Sequence, residues 1–396
     1  MISWSPPPCP SRVSPSRCCA RDGPCVVHRA DVLVVGAGPA GLATAIAFAR
    51  RGLEACVVDR RRAPLDKACG EGIMPAGVRA LQRLGVVTDQ LDAAAFEGVR
   101  FVEGAIACEG RFAGGTGLGV RRTELSRALI DVATRAGVEI RLGCSLRDFD
   151  RDGDVVRART RDGDWRVRLL VGADGLHSTV RERAGLSGPD RARRFGLRRH
   201  FRIAPWSRLV EVHWCDRGEA YVTPVARDEV GVAILGAAKD RDFDRELARF
   251  PEVVARLAGA APVDGVRGAG PFWQSAKRPA AERVALVGDA AGYTDAVTGE
   301  GISLAIRGAE ALARIFAESD GVVGYDRAWR GITREHRAFA ALLRLAVDHP
   351  GSRRAAFRAL ARMPWFFEVL LRRAGEVDQA LPGTGPRCEA SASPTS

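Results

Sequence analysis

Residues 31–59 constrain the fold most. Asp31-Val32-Leu33-Val34-Val35 is a short β-branched apolar run, the pattern of a strand buried on both faces of a parallel sheet. Gly36-Ala37-Gly38-Pro39-Ala40-Gly41 follows without a break, and residues 42–51 are an alanine-rich stretch that reads as a helix ended by Gly52. Glu54-Ala55-Cys56-Val57-Val58-Asp59 is a second strand, finishing in a carboxylate. Strand, glycine turn, helix and strand form a βαβ unit, which makes the two strands parallel neighbours and the fold class α/β.

The turn also carries chemistry. Gly36, Gly38 and Gly41 permit a tight bend and let a pyrophosphate approach the amides at the helix N-terminus, where Pro39 and Ala40 lie. Asp59, with Arg60 beside it, ends the second strand where it can accept hydrogen bonds from an adenosine ribose. A dinucleotide is favoured over an ordinary structural turn, with FAD and NAD both open at this point.

Composition removes several other classes. The net charge of +12 invites a nucleic-acid reading, but Lys67, Lys239 and Lys277 are the only lysines among 60 basic residues. The arginines are scattered and often sit beside acids, as in Arg151-Asp152 and Arg161-Asp162, with no basic stripe interleaved with aromatics. A GC-rich coding sequence accounts for them, and no nucleic-acid partner is expected. Of ten cysteines, Cys9, Cys18, Cys19, Cys25 and Cys388 fall in irregular tails and the rest are dispersed. Neither zinc spacing nor a disulfide framework emerges, so the expectation is no metal and a reducing cytoplasm. Residues 1–30 lack the apolar core of a secretory signal, and Val26 or Val27 is a candidate translation start. No apolar run has the length of an integral membrane segment.

Two later segments complete a set of motifs. Gly172-Ala173-Asp174-Gly175-Leu176-His177-Ser178-Thr179-Val180-Arg181 follows an apolar strand, and Val284-Ala285-Leu286-Val287-Gly288-Asp289-Ala290-Ala291-Gly292 contains another. With the N-terminal turn they closely resemble the three ordered motifs of the flavoprotein hydroxylase superfamily, whose members share the fold of para-hydroxybenzoate hydroxylase. That superfamily includes flavin-dependent halogenases and geranylgeranyl reductases.

The resemblance spans roughly residues 31–374 and implies a Rossmann-like FAD-binding domain of the glutathione reductase type, with an inserted antiparallel β-sheet substrate domain and C-terminal helices. The expected bounds are a disordered tail over 1–30, a discontinuous FAD domain over 31–185 and 270–330, and a substrate domain over 186–269 with 96–114. C-terminal helices over 331–378 and a disordered tail over 379–396 complete the chain. By the same resemblance Asp289 binds the ribityl chain of FAD with Gly288 permitting close approach, Asp174 and Gly175 serve FAD and NAD(P)H, and Arg122 lies beside the cofactor. Gly299, Glu300, Gly301 and Ile302, with Thr298, open a helix whose free amides can face the flavin and stabilise negative charge on it.

The reaction is less sharply marked. Cys69-Gly70-Glu71-Gly72-Ile73 is similar to a segment of geranylgeranyl-reductase-like proteins in which the cysteine is near the flavin ring, making Cys69 the candidate catalytic residue. The reductases' aromatic-x-Trp-x-Phe-Pro pattern stands here as Ala220-Tyr221-Val222-Thr223-Pro224, and the halogenase Trp-x-Trp-x-Ile-Pro motif is absent. The first expectation is therefore an NAD(P)H-dependent monooxygenase that hydroxylates a hydrophobic or aromatic small molecule, with His213 and Tyr221 as candidate substrate residues. A reductase of C=C bonds in a prenyl or polyketide chain is second; a halogenase or a flavin-binding protein without enzymatic activity is third. Residues 364–373 are aromatic-rich and bounded by arginines, a composition that suits peripheral membrane contact, entry of a greasy substrate, or, as the favoured reading, packing of a C-terminal helix.

Overall fold

The computed structural model describes residues 27–189, 194–237, 242–293, 299–347 and 349–376. Its first layer is a mainly parallel sheet. The strands Val284–Leu286, Gly163–Gly172, Val27–Val35, Ala55–Asp59 and Glu139–Leu142 lie side by side in that order, all parallel to their neighbours. Val32, Leu33 and Val34 have no exposed surface, as an apolar run buried on both faces requires. The helix Pro39–Ala49 is buried almost throughout and packs on Gly301–Ser319 and Arg122–Arg135, which explains why its sequence is apolar all round instead of striped.

The first strand is longer than its apolar segment. Val27, His28, Arg29 and Ala30 pair in register with Asp164, Trp165, Arg166 and Val167, so these four residues belong to the sheet and not to a disordered tail. Their partner strand runs far because it is also one arm of the meander Leu146–Asp152, Val155–Thr160 and Gly163–Gly172. His28 stacks on Trp165 with ring centroids 4.7 Å apart, and Arg141 lies over the same indole. The remainder of the expected N-terminal tail, and residues 377–396, lie outside the described residues.

A second, mostly antiparallel sheet faces the first domain. It runs Ala261–Pro262, Phe195–Arg202, Glu229–Gly236, Gly218–Ala226, Val210–Cys215, Gly98–Glu103 and Ile106–Arg111, with Arg267–Ala269 also on Phe195–Arg202. Only Val210–Cys215 and Gly98–Glu103 run parallel. Alternation divides its side chains between two cores. Val222, Val230, Val232 and Ile234 meet the short helices Phe243–Leu247 and Pro251–Arg256. Phe101, Val212, Trp214 and Tyr221 face the helices Pro350–Arg362 and Pro364–Leu371, where Phe101 lies 5.3 Å from Phe357 and 5.0 Å from Phe367 between ring centroids.

The C-terminal helices Tyr325–Val347, Pro350–Arg362 and Pro364–Leu371 are separated at Pro350 and Pro364, each at a helix N-terminus where its missing N–H costs no bond. No helix among the described residues is long and apolar enough to cross a membrane.

Candidate active site

The register of the parallel sheet brings the three glycine motifs together. Val35 pairs with Val58 and Gly172, and Gly172 with Leu286, so the strands end in one row. The loops that leave them, carrying Gly36, Asp59, Asp174 and Asp289, meet at the carboxyl edge of the sheet, where open α/β sheets form their binding crevice.

The glycines of the first turn divide by role. Gly36 has φ +110°, and a Cβ there would lie 2.4 Å from the carbonyl oxygen of Ala173. A Cβ on Gly41 would lie 1.7 Å from the carbonyl oxygen of Gly36. Both positions are closed to any side chain. Gly38 has nothing within 4 Å of its would-be Cβ, and it caps the helix Pro39–Ala49 without a side-chain hydrogen bond to the first amides. Two glycines thus close the turn, and the third leaves free donors facing open space.

The carboxylates are individually held. Asp59 accepts from the amides of Ala37 and Arg61, each at 2.8 Å. Asp174 Oδ2 accepts from the amides of Thr179 and Val180, while its buried Oδ1 has no partner among the described residues. Burial outweighs these hydrogen bonds and raises the Asp174 carboxyl above its ordinary range. Asp289 pairs with Lys67. Arg181, itself buried, ties the last two motifs together by donating to the carbonyls of Leu176 and Ala290 and to Gln274.

Around these loops runs a cavity of about 870 Å³. Its lining includes Gly36, Gly38, Pro39, Ala40, Asp59, Arg60, Arg122, Asp174, Gly175, Gly288, Asp289, Gly299, Glu300, Gly301 and Ile302, and also Cys69 and Tyr221. Gly41 lies behind the wall. His213 requires a correction as a substrate residue: it pairs across the strands with Ala220, on the face covered by the short helices. Its Nε2 lies 3.1 Å from Glu211 and its Nδ1 3.8 Å from Glu252 of the helix Pro251–Arg256, away from the cavity. Thr298 lies outside the described residues.

Segment 67–74 lines the cavity and touches both the FAD-motif loops and the second sheet. On one side Lys67 reaches Asp289, and Gly299 sits against Met74. On the other, Thr223 of the second sheet donates to the carbonyl of Gly70 at 2.8 Å. Beyond it the wall becomes apolar, formed by Phe101, Val212, Leu235 and the C-terminal residues Phe357, Phe366 and Leu370. The sequence reading missed three contributors: Lys67, the pair of His336 and Glu300 at 2.7 Å, and a buried pairing of Glu71 with His200. The rarity of lysine was the available signal for Lys67; the other two join segments too far apart for any local pattern to mark them.

Residues 29–321 match the family described as FAD binding domain. The chain belongs to this family. The unpartnered Asp174 Oδ1 and Arg122 Nε, the uncapped helix behind Gly38 and the size of the cavity all fit FAD. Among curated relatives, the menaquinone reductase of Mycolicibacterium smegmatis is 32% identical over 81% of this chain and 84% of its own. The digeranylgeranylglycerophospholipid reductase of Methanothrix thermoacetophila is 26% identical over 76% of this chain and 83% of its own. A flavoprotein/dehydrogenase from Cytophaga hutchinsonii superposes with a TM-score of 0.78 at 19% identity, over 87% of this chain and 92% of that one, and so shares the fold. The flavoprotein is an FAD-dependent oxidoreductase with the α/β architecture expected from its motifs.

Proposed function

We propose that this protein is a reductase that adds hydrogen across a C=C bond of a prenyl-type lipid or quinone. Sequence alone ranks hydroxylation first. The reductive reading moves ahead of it on one observation: Cys69-Gly70-Glu71-Gly72 lines the same cavity as Asp289 and as apolar residues of the second sheet and the last helices, among them Phe101, Val212 and Phe357. The two reductases similar to this chain are named for substrates of that apolar class, which supports the same reading.

In this reading the amides after Gly38 hold the FAD pyrophosphate, and Asp59, with Arg60, holds the adenosine ribose. Asp289 would bind the ribityl hydroxyls, Asp174, Gly175 and Arg122 would border the cofactor, and the amides at Gly299–Ile302 would serve the flavin ring. When bound, FAD supplies the two electrons of the reaction, with NAD(P)H as the proposed donor. The residues of the chain would orient substrate and exclude water: Tyr221 and Thr223 line the cavity from the second sheet, and Phe357, Phe366 and Phe367 line it from the last two helices. Cys69 lines the same cavity and in this reading positions the reacting carbon or donates a proton.

Residues of the last helix both line the cavity and meet the surface: Phe366 does both. Phe367 and Leu371 are buried, whereas Trp365, Phe366 and Val369 are exposed on the helix Pro364–Leu371. Residues 350–373 contain six arginines and one glutamate, so this rim suits the surface of an anionic bilayer from which an apolar substrate would enter.

Anaerobic turnover of the pre-reduced holoenzyme with a polyprenyl quinone and with a geranylgeranyl ether lipid tests the assignment. Mass spectrometry should find a product that has gained two hydrogens. A product that appears only with oxygen, and has gained an oxygen atom, returns hydroxylation to first place.

A further inference from the structure

Glu71, His200 and Asp264 come from three distant segments and form one hydrogen-bonded line. Glu71 lies two residues after Cys69, borders the cavity and is 2% exposed, with φ +60°, a left-handed conformation that a glutamate adopts only when its surroundings impose it. One of its carboxylate oxygens accepts from the amide of Arg122 at 2.9 Å, and the other lies 2.5 Å from Nε2 of His200. His200 has no exposed surface. Its Nδ1 lies 2.8 Å from Oδ2 of Asp264, whose side chain is 21% exposed.

We propose that Glu71, His200 and Asp264 are a proton path from the protein surface to the cavity floor beside Cys69. An imidazole between two carboxylates can take a proton at one nitrogen and release one at the other, which a purely structural ion pair does not need. The inference rests on the reductive reading for what consumes the proton. Adding two hydrogens to a C=C bond forms one C–H bond from hydride and one from a proton. The hydride and its two electrons would be supplied by bound reduced FAD, which NAD(P)H as the proposed donor would restore. The proton leaves the Glu71 carboxyl for the cavity floor, Glu71 is refilled from His200 Nε2, and His200 Nδ1 is refilled through Asp264 from water.

Surrounding charges keep the line supplied and aligned. Asp264 Oδ2 also receives Arg198 at 2.7 Å and Arg121 at 3.0 Å, and the amide of His200 donates to Oδ1. Burial alone would raise the Asp264 carboxyl, but the hydrogen bonds from His200 and the charge of Arg198 outweigh it and hold the group below its ordinary value. Arg198 Nη1 lies 2.7 Å from His200 Nδ1 as well as from Asp264 Oδ2, so one guanidinium fixes the imidazole and the carboxylate against each other. Arg198 also pairs with Asp66, which Arg267 meets from the surface. Arg121 bridges to buried Glu229, whose carboxyl is raised by burial, and Arg202 lies on Glu229's outer side.

The test uses FAD-loaded protein with ¹⁵N-labelled histidine. The ¹⁵N signals of the His200 ring nitrogens should change in both Glu71→Gln and Asp264→Asn, because each alters a hydrogen bond to one ring nitrogen. Ring signals unchanged in both overturn the path. In turnover, His200→Gln should retain FAD and its melting temperature but lose about 100-fold in kcat, the scale of a lost proton-transfer group. The solvent deuterium isotope effect should rise, and His200→Gly should recover with added imidazole. Loss of turnover that follows loss of FAD or of melting temperature, with the isotope effect unchanged, would show only a structural tie. A wild-type protein that reduces no C=C bond refutes the proposed function instead, and the ring signals of the variants then still decide the coupling of the three residues.

Discussion

Nζ of Lys67 stands 3.0 Å from Oδ2 of Asp289 and joins two cavity loops that are 222 residues apart. Both side chains are about a third exposed, 33% and 28%, so the pair is worth no more than about 1 kcal/mol to the fold. The contact therefore matters more for what it positions than for stability. Asp289→Ala should purify soluble, with a melting temperature within a few degrees of wild type, yet without bound flavin. The ratio of flavin to protein absorbance reads this directly. Full occupancy would remove Asp289 from the ribityl position.

The two kinds of glycine in the first turn should respond differently to substitution. Gly41→Leu, or even Gly41→Ala, drives a Cβ to within 1.7 Å of a backbone oxygen that has no room to retreat, and should destabilise the fold by about 3 kcal/mol or more. Gly38→Ala meets nothing, and its expected cost is about 1 kcal/mol as a poorer helix cap. Its main effect should be weaker FAD binding, since the new methyl stands where the pyrophosphate approaches. Denaturant melts of the apoproteins, paired with FAD titrations, separate the two. Equal stability losses would contradict the division.

Glu103 and Arg353 hold the last helices against the second sheet. Arg353 Nη2 and Nε reach the two Glu103 oxygens at 2.7 and 2.9 Å, with both side chains buried, and Arg354 adds a third contact at 3.0 Å. Burial would raise the Glu103 carboxyl, but Arg353 and Arg354 outweigh it and hold the group below its ordinary value. Because the folded pKa is depressed, this stabilisation is complete above the unfolded value of about 4.3 and is lost as pH falls through the folded pKa. Glu103→Gln should cost about 2 kcal/mol at neutral pH, since it removes the bidentate partner of a buried guanidinium and leaves it the more distant Asp216 at 3.8 Å. It should also flatten part of the drop in melting temperature between about pH 5 and pH 3. A variant whose acid profile overlays wild type would show that the pair does not govern that drop.

The sequence was most legible where structure and chemistry are local. Strand, turn and helix at residues 31–49 are specified by neighbours along the chain, and the glycine motifs at Asp174 and Asp289 follow the same logic. What could not be read depends on partners far away. Alternation puts His213 and Trp214 on opposite faces, but which face meets the cavity is decided by the C-terminal helices, more than a hundred residues on. The pairing of Val27–Ala30 depends on how far the strand Gly163–Gly172 extends, which no N-terminal pattern records. Likewise Glu71 looked like the variable position of a glycine segment until the fold placed His200 against it.

The exposed aromatic rim supplies the last prediction. Trp365 is 63% exposed and its ring packs against Phe366, also exposed, while the inner side of the same helix is buried against the strand Ile106–Arg111. Gly110 makes that packing possible, because a Cβ there would lie 2.7 Å from Leu371. Anchored in this way, the helix can present Trp365 and Phe366 to a bilayer without unfolding, with the exposed Arg358, Arg362, Arg372 and Arg373 flanking them in sequence. Co-sedimentation should therefore find the protein on vesicles containing phosphatidylglycerol and much less on purely zwitterionic ones, with the difference reduced by salt over the range in which surface charges are screened. Trp365→Ser with Phe366→Ser should abolish binding and leave FAD occupancy unchanged, because each buried aromatic contributes on the order of 2 kcal/mol to partitioning. Wild-type protein that ignores anionic vesicles, or a double variant that binds as well as wild type, would assign this face to another partner.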